Sequence, residues 1–429
     1  MGRQLRRHAG RTRKLQLLPL LLILLAALAV AIPAAAQGAG GMVPQGGTLD
    51  PEGASKARFH WGAIHFTPSV SLNSLGTDSN VFNAQGDPQR DVTASFGPGV
   101  DMWVNVGRSR LNAQASAQYV YFHTFSNQRS LNSNETVRWD VPVGRLTPFV
   151  AGSHLTTRNR RSFEIDTRPR TVIEGAFAGA DVRISGRTNI TFSAGRSYLR
   201  LQQGEQFRGV DLATVLNQET TMARVQMRYK LTPLTTFVVD VQGLQDRFPS
   251  QPIRDGDSIK VLPGFELRPA ALISGTVFVG MRKLQFLNPA VTGYQGVIAS
   301  VDARFVNRSR LFTTTVARDV AFSYQIEQPY YLLTDATASI TQRLGPRWDV
   351  VVRGGLQLLD YEGAIAGSAP LDERVDHIQQ YGGGIGYRFG RTLRLGFNAL
   401  QIERRSSLST LRDYTGLRMG ISVDYGLNQ

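Results

Sequence analysis

The stretch TTMARVQMRYKL, Thr220 to Leu231, decides the fold. Every second residue from Ala223 is apolar: Ala223, Val225, Met227, Tyr229, Leu231. The residues between them are Arg224, Gln226, Arg228 and Lys230. Successive side chains alternate across an extended strand, so period two puts each set on its own face. One face suits an apolar medium and the other suits water.

The same alternation recurs along the chain. Val92, Ala94, Phe96, Val100, Met102 and Val104 oppose Thr93, Ser95, Gly97, Asp101 and Asn105. Leu111, Ala113, Ala115, Ala117, Tyr119 and Tyr121 oppose Asn112, Gln114, Ser116 and Gln118. Val297, Ala299, Val301, Ala303 and Phe305 oppose Ser300, Asp302 and Arg304, and Trp348, Val350, Val352, Leu356 and Leu358 oppose Asp349, Arg353 and Gln357. Near the carboxyl end Leu417, Met419, Ile421, Val423 and Tyr425 oppose Arg418, Ser422 and Asp424. Two segments, TVIEGAFAGADVRI and LFTTTVARDVAFSY, give no clear division into faces.

Between the segments lie connections of two kinds. VGRSR, VGRL, SGRT, TPLT, RPAA, NRSR, LGPR and FGRT are short turns; SLGTDSNVFNAQGDPQR, TTRNRRSFEIDTRPR, QQGEQFRGVDLATVLNQ, FPSQPIRDGD and EGAIAGSAPLDERVD are long and polar. Eight short turns plus two free ends predict an up-and-down antiparallel sheet of about eighteen strands, within 16–18.

Strands in soluble sandwiches average five or six residues. These run to about a dozen, and a tilted strand needs roughly 9 to 11 to cross a bilayer. Aromatic residues close the apolar faces at Tyr119, Tyr121, Tyr229, Phe305, Tyr387, Phe389 and Tyr425, as in a membrane-interface girdle. Arg and Asp sit well inside the polar faces, which a water-filled interior accepts. In lipid every backbone polar group needs a partner, and only a closed barrel leaves a sheet without an edge. The expected fold is therefore all-β: a transmembrane antiparallel β-barrel over residues 61–429.

The amino terminus supplies the export signal. MGRQLRRHAGRTRK is basic, LQLLPLLLILLAALAVAI is apolar, and PAAAQG follows. This is a secretory signal peptide over 1–36, cut after Ala36, with an uncleaved anchor as the alternative. Residues 37–60 are Gly- and Pro-rich and read as a flexible linker. Export and barrel together place the protein in a bacterial outer membrane. The chain has no cysteine, so no disulfide framework supports it. The net charge is +15, of which the leader holds six basic residues, leaving about +9 for the rest. That charge is spread along strands and loops without a nucleic-acid motif, so nucleic acid is excluded as the expected partner and small anions or anionic headgroups are favoured.

The first strand and loop, HFTPSVSLNSLGTDSNVF, resemble the start of a bacterial family of outer-membrane β-barrel porins that includes barrels from exopolysaccharide gene clusters, the EpsL and VpsM type. The resemblance rests on Pro68 followed by Asp78, Ser79, Asn80, Val81 and Phe82. It implies an outer-membrane channel linked to polysaccharide export, and brings no catalytic residues. RMGISVDY, 418–425, resembles the terminal signal read by barrel-assembly machinery, although GLNQ follows it.

A lumen this wide holds water. It would be lined by Arg224, Arg228, Lys230, Arg304, Arg353, Arg394 and Arg418, with Asp302 and Asp349 among them. An excess of Arg favours anions, and guanidinium holds carboxylate or phosphate bidentately. The same residues also read as a solvated lattice that stiffens the wall. In the loop TTRNRRSFEIDTRPR, Arg158, Arg160, Arg161, Arg168 and Arg170 are candidates for lipopolysaccharide phosphate or an anionic polymer, or simply an exposed polar loop.

Enzyme chemistry finds no support. Ser153 and His154 are adjacent and so point to opposite faces. No H-E-x-x-H or Walker motif occurs, GGGIGYRFG lacks the third spaced glycine of a dinucleotide loop, and neither metal nor cofactor is expected. The expected function is a channel for small hydrophilic, anionic solutes. The alternative is an assembly barrel with a closed lumen whose loops bind a partner or lipopolysaccharide.

Overall fold

The computed structural model describes residues 53–268, 272–363, 374–390, 392–407 and 412–425. Eighteen long strands form one closed antiparallel barrel. In chain order they are β1 Ile64–Asp78, β2 Asp91–Val106, β3 Ser109–Phe122, β4 Ser130–Asp140, β5 Leu146–Thr157 and β6 Thr171–Arg183. Next come β7 Thr188–Leu201, β8 Gln218–Lys230, β9 Thr235–Arg247, β10 Gly256–Leu267, β11 Ile273–Phe286 and β12 Tyr294–Asn307. The last six are β13 Arg310–Phe322, β14 Tyr330–Leu344, β15 Trp348–Glu362, β16 Val375–Phe389, β17 Leu393–Ser406 and β18 Tyr414–Tyr425. A three-residue strand, Phe59–Trp61, folds back on the start of β1.

Each strand pairs with its sequence neighbour, and β1 pairs with β18 from Val70↔Tyr425 to Asp78↔Arg418. That last seam removes the sheet's only edges. It carries a bulge between Leu72 and Leu75, with Ser74 in the left-handed region at φ 55°. At Gly76 a Cβ would collide with the Met419 carbonyl, so the seam requires glycine there.

The turns alternate as expected. Two of them have two residues each, 107–108 between β2 and β3 and 308–309 between β12 and β13; in the first, Gly107 lies at φ 59°, a conformation glycine adopts without a Cβ penalty. Residues 269–271 of RPAA and Arg391 of FGRT lie outside the described residues, as do residues 1–52, where the leader and most of the linker were assigned. The rest of that linker holds a helical turn, Gly53–Lys56, and the first two residues of the short strand Phe59–Trp61, so ordered structure begins before the expected boundary at residue 61. Besides the long connections read from the sequence, of which residues 364–373 lie outside the described residues, 123–129, 287–293 and 323–329 lie at the same end of the barrel.

The register separates the faces. Val225 lies opposite Phe192 on β7 and Val241 on β9, and Val241 lies opposite Val261 on β10. These residues are exposed: Val352 keeps 61 % of its surface and Phe397 48 %. An apolar surface of this extent belongs against hydrocarbon. At the short-turn end it finishes in aromatics, including Tyr387 edge-on to both Trp348 at 4.9 Å and Phe389 at 4.7 Å. Tyr229, Phe305 and Tyr425 lie at this end too, while Tyr119 and Tyr121 lie toward the long loops. At the loop end the outer face turns ionic: Arg200–Glu174 at 3.1 Å, Arg196–Glu219 at 3.0 Å and Arg247–Asp257 at 2.8 Å. On β8 the apolar outer residues run from Ala223 to the strand's end, about the length a tilted crossing needs.

One seam departs from a plain cylinder. β12 and β13 pair only from Asn307↔Arg310 up to Ala299↔Arg318. Above that point β13 stays paired with β14 as far as Phe322↔Tyr330, but leaves β12. Val320, Tyr330 and Leu332 pack instead on Leu284, Phe286, Tyr294 and Ile298, side chains of the inner face of β11 and β12. Arg282 reaches the Val320 carbonyl and holds Asp319 at 2.8 Å. The upper β13–β14 hairpin thus lies inside the wall, overlapping its neighbours.

Candidate functional site: the lumen and its inward-folded loops

Alternation carries all nine lumen candidates to the inner face. Arg224 meets Asp240 through two hydrogen bonds, 2.8 and 2.6 Å, and Gln242 donates to the same carboxylate at 3.0 Å. Arg228 pairs with Glu266 at 3.2 Å, and Arg418 with Asp78 at 2.8 Å. Asp349 is fully buried between Arg394 at 2.7 Å and Arg388 at 2.8 Å. Arg353 has only an amide, Asn398 Oδ1 at 3.1 Å, while Lys230, Asp302 and Arg304 stand exposed. The lumen wall is thus partly a lattice of closed ion pairs, and partly free cations: Arg353, Arg304 and Lys230.

The short motif in the first loop is built into the closure seam. Asp78 takes Arg418 of β18 and accepts the Asn80 amide at 3.0 Å. The Asn80 side chain donates to Ala84 O at 2.7 Å and to Thr415 O of β18 at 3.0 Å. Asp and Asn stand there because each can bond to backbone a few residues away, which fixes a turn.

The loop between β5 and β6, 158–170, crosses the mouth. Strands β14 to β17 lie on the opposite side of an eighteen-strand ring, yet Phe163 packs against their inner-face cluster of Tyr331, Leu333, Leu359, Tyr361, Ile378 and Ile402. Arginines hold the loop by its carbonyls. Arg404 of β17 donates to Phe163 O at 2.5 Å, and Arg412 to Glu164 O at 2.5 Å. Arg160 donates to Asp166 O at 2.7 Å and to Val81 O at 2.5 Å, tying in the first loop. Arg254, fully buried, donates to Val215 O at 2.6 Å, to Pro329 O at 2.7 Å and to Ser323 O, so three loops meet on one guanidinium. A helical turn, Leu212–Leu216, capped by Asp211, adds Leu212, Val215 and Leu216 to an apolar cluster with Ile165 and Tyr324.

Asp376 anchors the wall side. It is fully buried and takes Arg374 at 2.5 Å and Arg404 at 2.7 Å, with Arg412 at 3.7 Å. Burial pushes the Arg168 guanidinium down to about 9 and Arg254 down to about 10. Both stay cationic at neutral pH, and their neighbours Arg160 and Arg418 repel Arg168 further. Of the five loop arginines, Arg158 joins Glu205 at 3.2 Å, Arg160, Arg161 and Arg168 are partly buried in the mouth, and Arg170 is exposed. The sequence places these five in one loop but cannot show that the loop turns inward. The one available signal was composition: Phe163 and Ile165 are apolar residues inside an otherwise polar connection.

Glu164 locks the loop to the β13–β14 tip. Its carboxylate accepts from Ser323 Oγ at 2.6 Å and from the Tyr324 amide at 3.3 Å. Burial pushes this carboxyl up to about 7, against partial relief from Ser323 and Arg374. An acid whose folded value lies above its free value binds its proton more tightly when docked. Docking is therefore strongest below the ordinary 4.5 and weakens as pH rises through about 7, by up to about 3 kcal/mol. Amide protection factors across 158–170, with the intrinsic pH dependence of exchange divided out, should fall between pH 5.5 and 8.5 in the wild type and stay level in Glu164→Gln. Equal pH dependence in both proteins would rule Glu164 out as the titrating group.

Ser153 and His154 do point to opposite faces: His154 lies outside, 3.5 Å from Glu174, and Ser153 faces the lumen side of the same strand.

Comparison with known proteins was made on sequence and on fold. Residues 59–426 match the family model described as "Putative beta-barrel porin 2". No curated protein matches the sequence. Among solved structures, a BenF-like porin from Pseudomonas fluorescens Pf-5 aligns with 11% identity, covering 84% of this chain and 99% of that one, at a TM-score of 0.45. OccK5 (OpdH) of Pseudomonas aeruginosa aligns with 12% identity over 84% and 98%, at 0.40. OpdK of Pseudomonas aeruginosa, solved with vanillate, aligns with 9% identity over 84% and 98%, at 0.43.

Proposed function

The chain belongs to this beta-barrel porin family and is an outer-membrane barrel, and from that premise we propose that it is a channel for small hydrophilic anions. The observation that carries the reading is the set of inner-face cations without an acidic partner, Arg353, Arg304 and Lys230, beside Arg224, Arg228, Arg394 and Arg418, which are neutralised. Fixed positive charge in a low-dielectric channel enriches anions and excludes cations. The chemistry asks nothing more of the protein than a wet, charged passage, so no enzymatic step, metal or cofactor enters. The first-loop resemblance around Asp78 and Asn80 supports a link to exopolysaccharide export. Export itself would run through a leader cleaved after Ala36, then insertion by barrel-assembly machinery, with Arg170 and the outer ionic belt meeting lipopolysaccharide.

Planar-bilayer recording tests the reading. Under a KCl gradient the wild type should reverse on the chloride side, and Arg353→Glu should move reversal toward potassium by on the order of 10 mV. An unchanged reversal potential would remove Arg353 from the selectivity mechanism.

The packed mouth favours a second reading, an assembly barrel with a closed lumen. It requires that no conductance steps appear even after loop 158–170 is removed.

A further inference from the structure

We propose that the short-turn mouth of the barrel is a docking site for polyanions arriving from the periplasmic side. Six of the described short turns each bring an arginine to the rim: Arg108, Arg145, Arg187, Arg268, Arg308 and Arg347, all exposed. No described residue of the connections at 107–108, 184–187, 231–234, 308–309 or 345–347 is acidic. Just inside the rim, Arg110, Arg183 and Arg343 occupy inner-face positions at the ends of β3, β6 and β14, beside Lys230 and Arg304. The carboxylates nearest them are taken by other arginines: Asp140, opposite Arg110, and Asp181, two residues from Arg183, hold Arg138, while Asp349, opposite Arg343, holds Arg388 and Arg394. Arg183 donates instead to Gly144 O at 3.1 Å and Arg347 to Tyr387 Oη at 3.1 Å. Among the described residues none of these cations forms an ion pair.

The opposite mouth is built differently. There Asp376, Asp166, Glu164 and Glu205 sit among the arginines, and the outer belt is closed by Arg–Glu and Arg–Asp pairs. The two rims therefore differ in charge, and the difference lies along the barrel axis. Neighbouring strands are about 4.8 Å apart, so cations two strands apart lie within about one Debye length, roughly 8–10 Å, and their fields add. Walls of protein and lipid focus that field into the opening.

The ligand follows from the arrangement. A single carboxylate meets one exposed guanidinium, a contact that solvent screens. A chain with repeated carboxylates or phosphates meets several at once and gains by multivalency, and guanidinium suits both groups. The headgroups of the surrounding leaflet reach the outer turns but not the inward Arg110, Arg183 and Arg343, so a soluble polyanion fits the whole site and a lipid fits only its rim. The inference uses the porin reading for one thing, that short turns face the periplasm.

Polygalacturonate binding to the full-length protein in detergent is the test, with galacturonate monomer, neutral dextran and phosphatidylglycerol micelles as the other probes. The polymer should bind at least about tenfold more tightly than the monomer per uronate, lose affinity with salt, and weaken at least about tenfold in the triple variant Arg110→Glu, Arg183→Glu, Arg343→Glu. Arg170→Glu, at the other mouth, should bind as the wild type does. Heat-modifiable migration checks that each variant is folded, and single Glu substitutions replace the triple one if it is not. Equal binding by wild type and rim variants, loss of binding in Arg170→Glu, or a preference for phosphatidylglycerol that the rim variants leave intact would overturn the proposal. Conducting protein that ignores polygalacturonate would defeat this inference alone; binding by protein silent in bilayers would defeat the channel reading alone.

Discussion

Replacing residues 159–169 by a short Gly-Ser linker is expected to raise single-channel conductance by on the order of tenfold, since a barrel of this strand number encloses an aqueous channel once nothing fills it. The loop does not hang over the mouth. It spans it, with Phe163 seated in the far wall's apolar cluster and its carbonyls taken by Arg404 and Arg412. Removing it also removes Glu164, which frees the β13–β14 tip at Ser323 and Tyr324. Strand pairing lies below this level and should survive, so heat-modifiable migration should persist. A control deletion within 184–187, at the short-turn end, should leave conductance near the wild-type level. If the loop-deleted protein conducts no better than the wild type, the loop is not what limits passage.

Asp376→Ala is expected to be the most destabilising single change, at about 3–5 kcal/mol, because it strands buried cations without their partner. Arg374, Arg404 and Arg412 converge on that one carboxylate, which is shielded from water and also receives Tyr361 Oη at 3.4 Å. Two of these arginines also hold the loop, so the damage should reach Phe163 and Glu164. Asp257→Ala is the comparison: its pair with Arg247 lies on the outer ionic belt with the side chain 47% exposed, and its loss should cost less than about 1 kcal/mol. Guanidinium unfolding of the two variants from lipid vesicles gives the difference. Equal losses would mean that burial at Asp376 does not set its strength.

The wall was legible in the sequence and the plug was not, for one physical reason. Residues in the wall face lipid on one side and water on the other, and that contrast writes itself as period two through Ala223–Lys230 and Trp348–Leu358. Above residue 318, β13 has protein on both faces: Val320 packs on β11 and β12, while Ala321 joins the cluster around Tyr331 and Leu359. An element buried on both sides has no reason to alternate, and LFTTTVARDVAFSY does not. TVIEGAFAGADVRI fails for a related reason. Phe177 is buried inside against Met222 and Leu244, while Glu174 stands outside at the ionic belt. Each inverts the expected polarity of its face.

The candidate site divides the same way. Parity alone put Arg224, Arg228, Lys230, Arg304, Arg353, Arg394, Arg418, Asp302 and Asp349 on the inner face. It could not show which were neutralised, because partners such as Asp240 for Arg224 and Glu266 for Arg228 sit on the next strand or two strands away. Nor could it show Arg254 holding three loops, since its acceptors are backbone carbonyls up to 75 residues away in sequence.

The most direct measurement uses the absence of native cysteine. Single cysteines at Val225 and Val352, and at their inward neighbours Gln226 and Arg353, give four proteins that each carry one reporter. In vesicles with brominated acyl chains, a bimane label at 225 and 352 should be quenched by the lipid. The cysteines at 226 and 353 should escape quenching, and the one at 353, where the native side chain is exposed, should react with a charged, water-soluble methanethiosulfonate. If labels at 225 and 352 are untouched by brominated lipid, those valines are buried against protein and the membrane barrel described here is wrong.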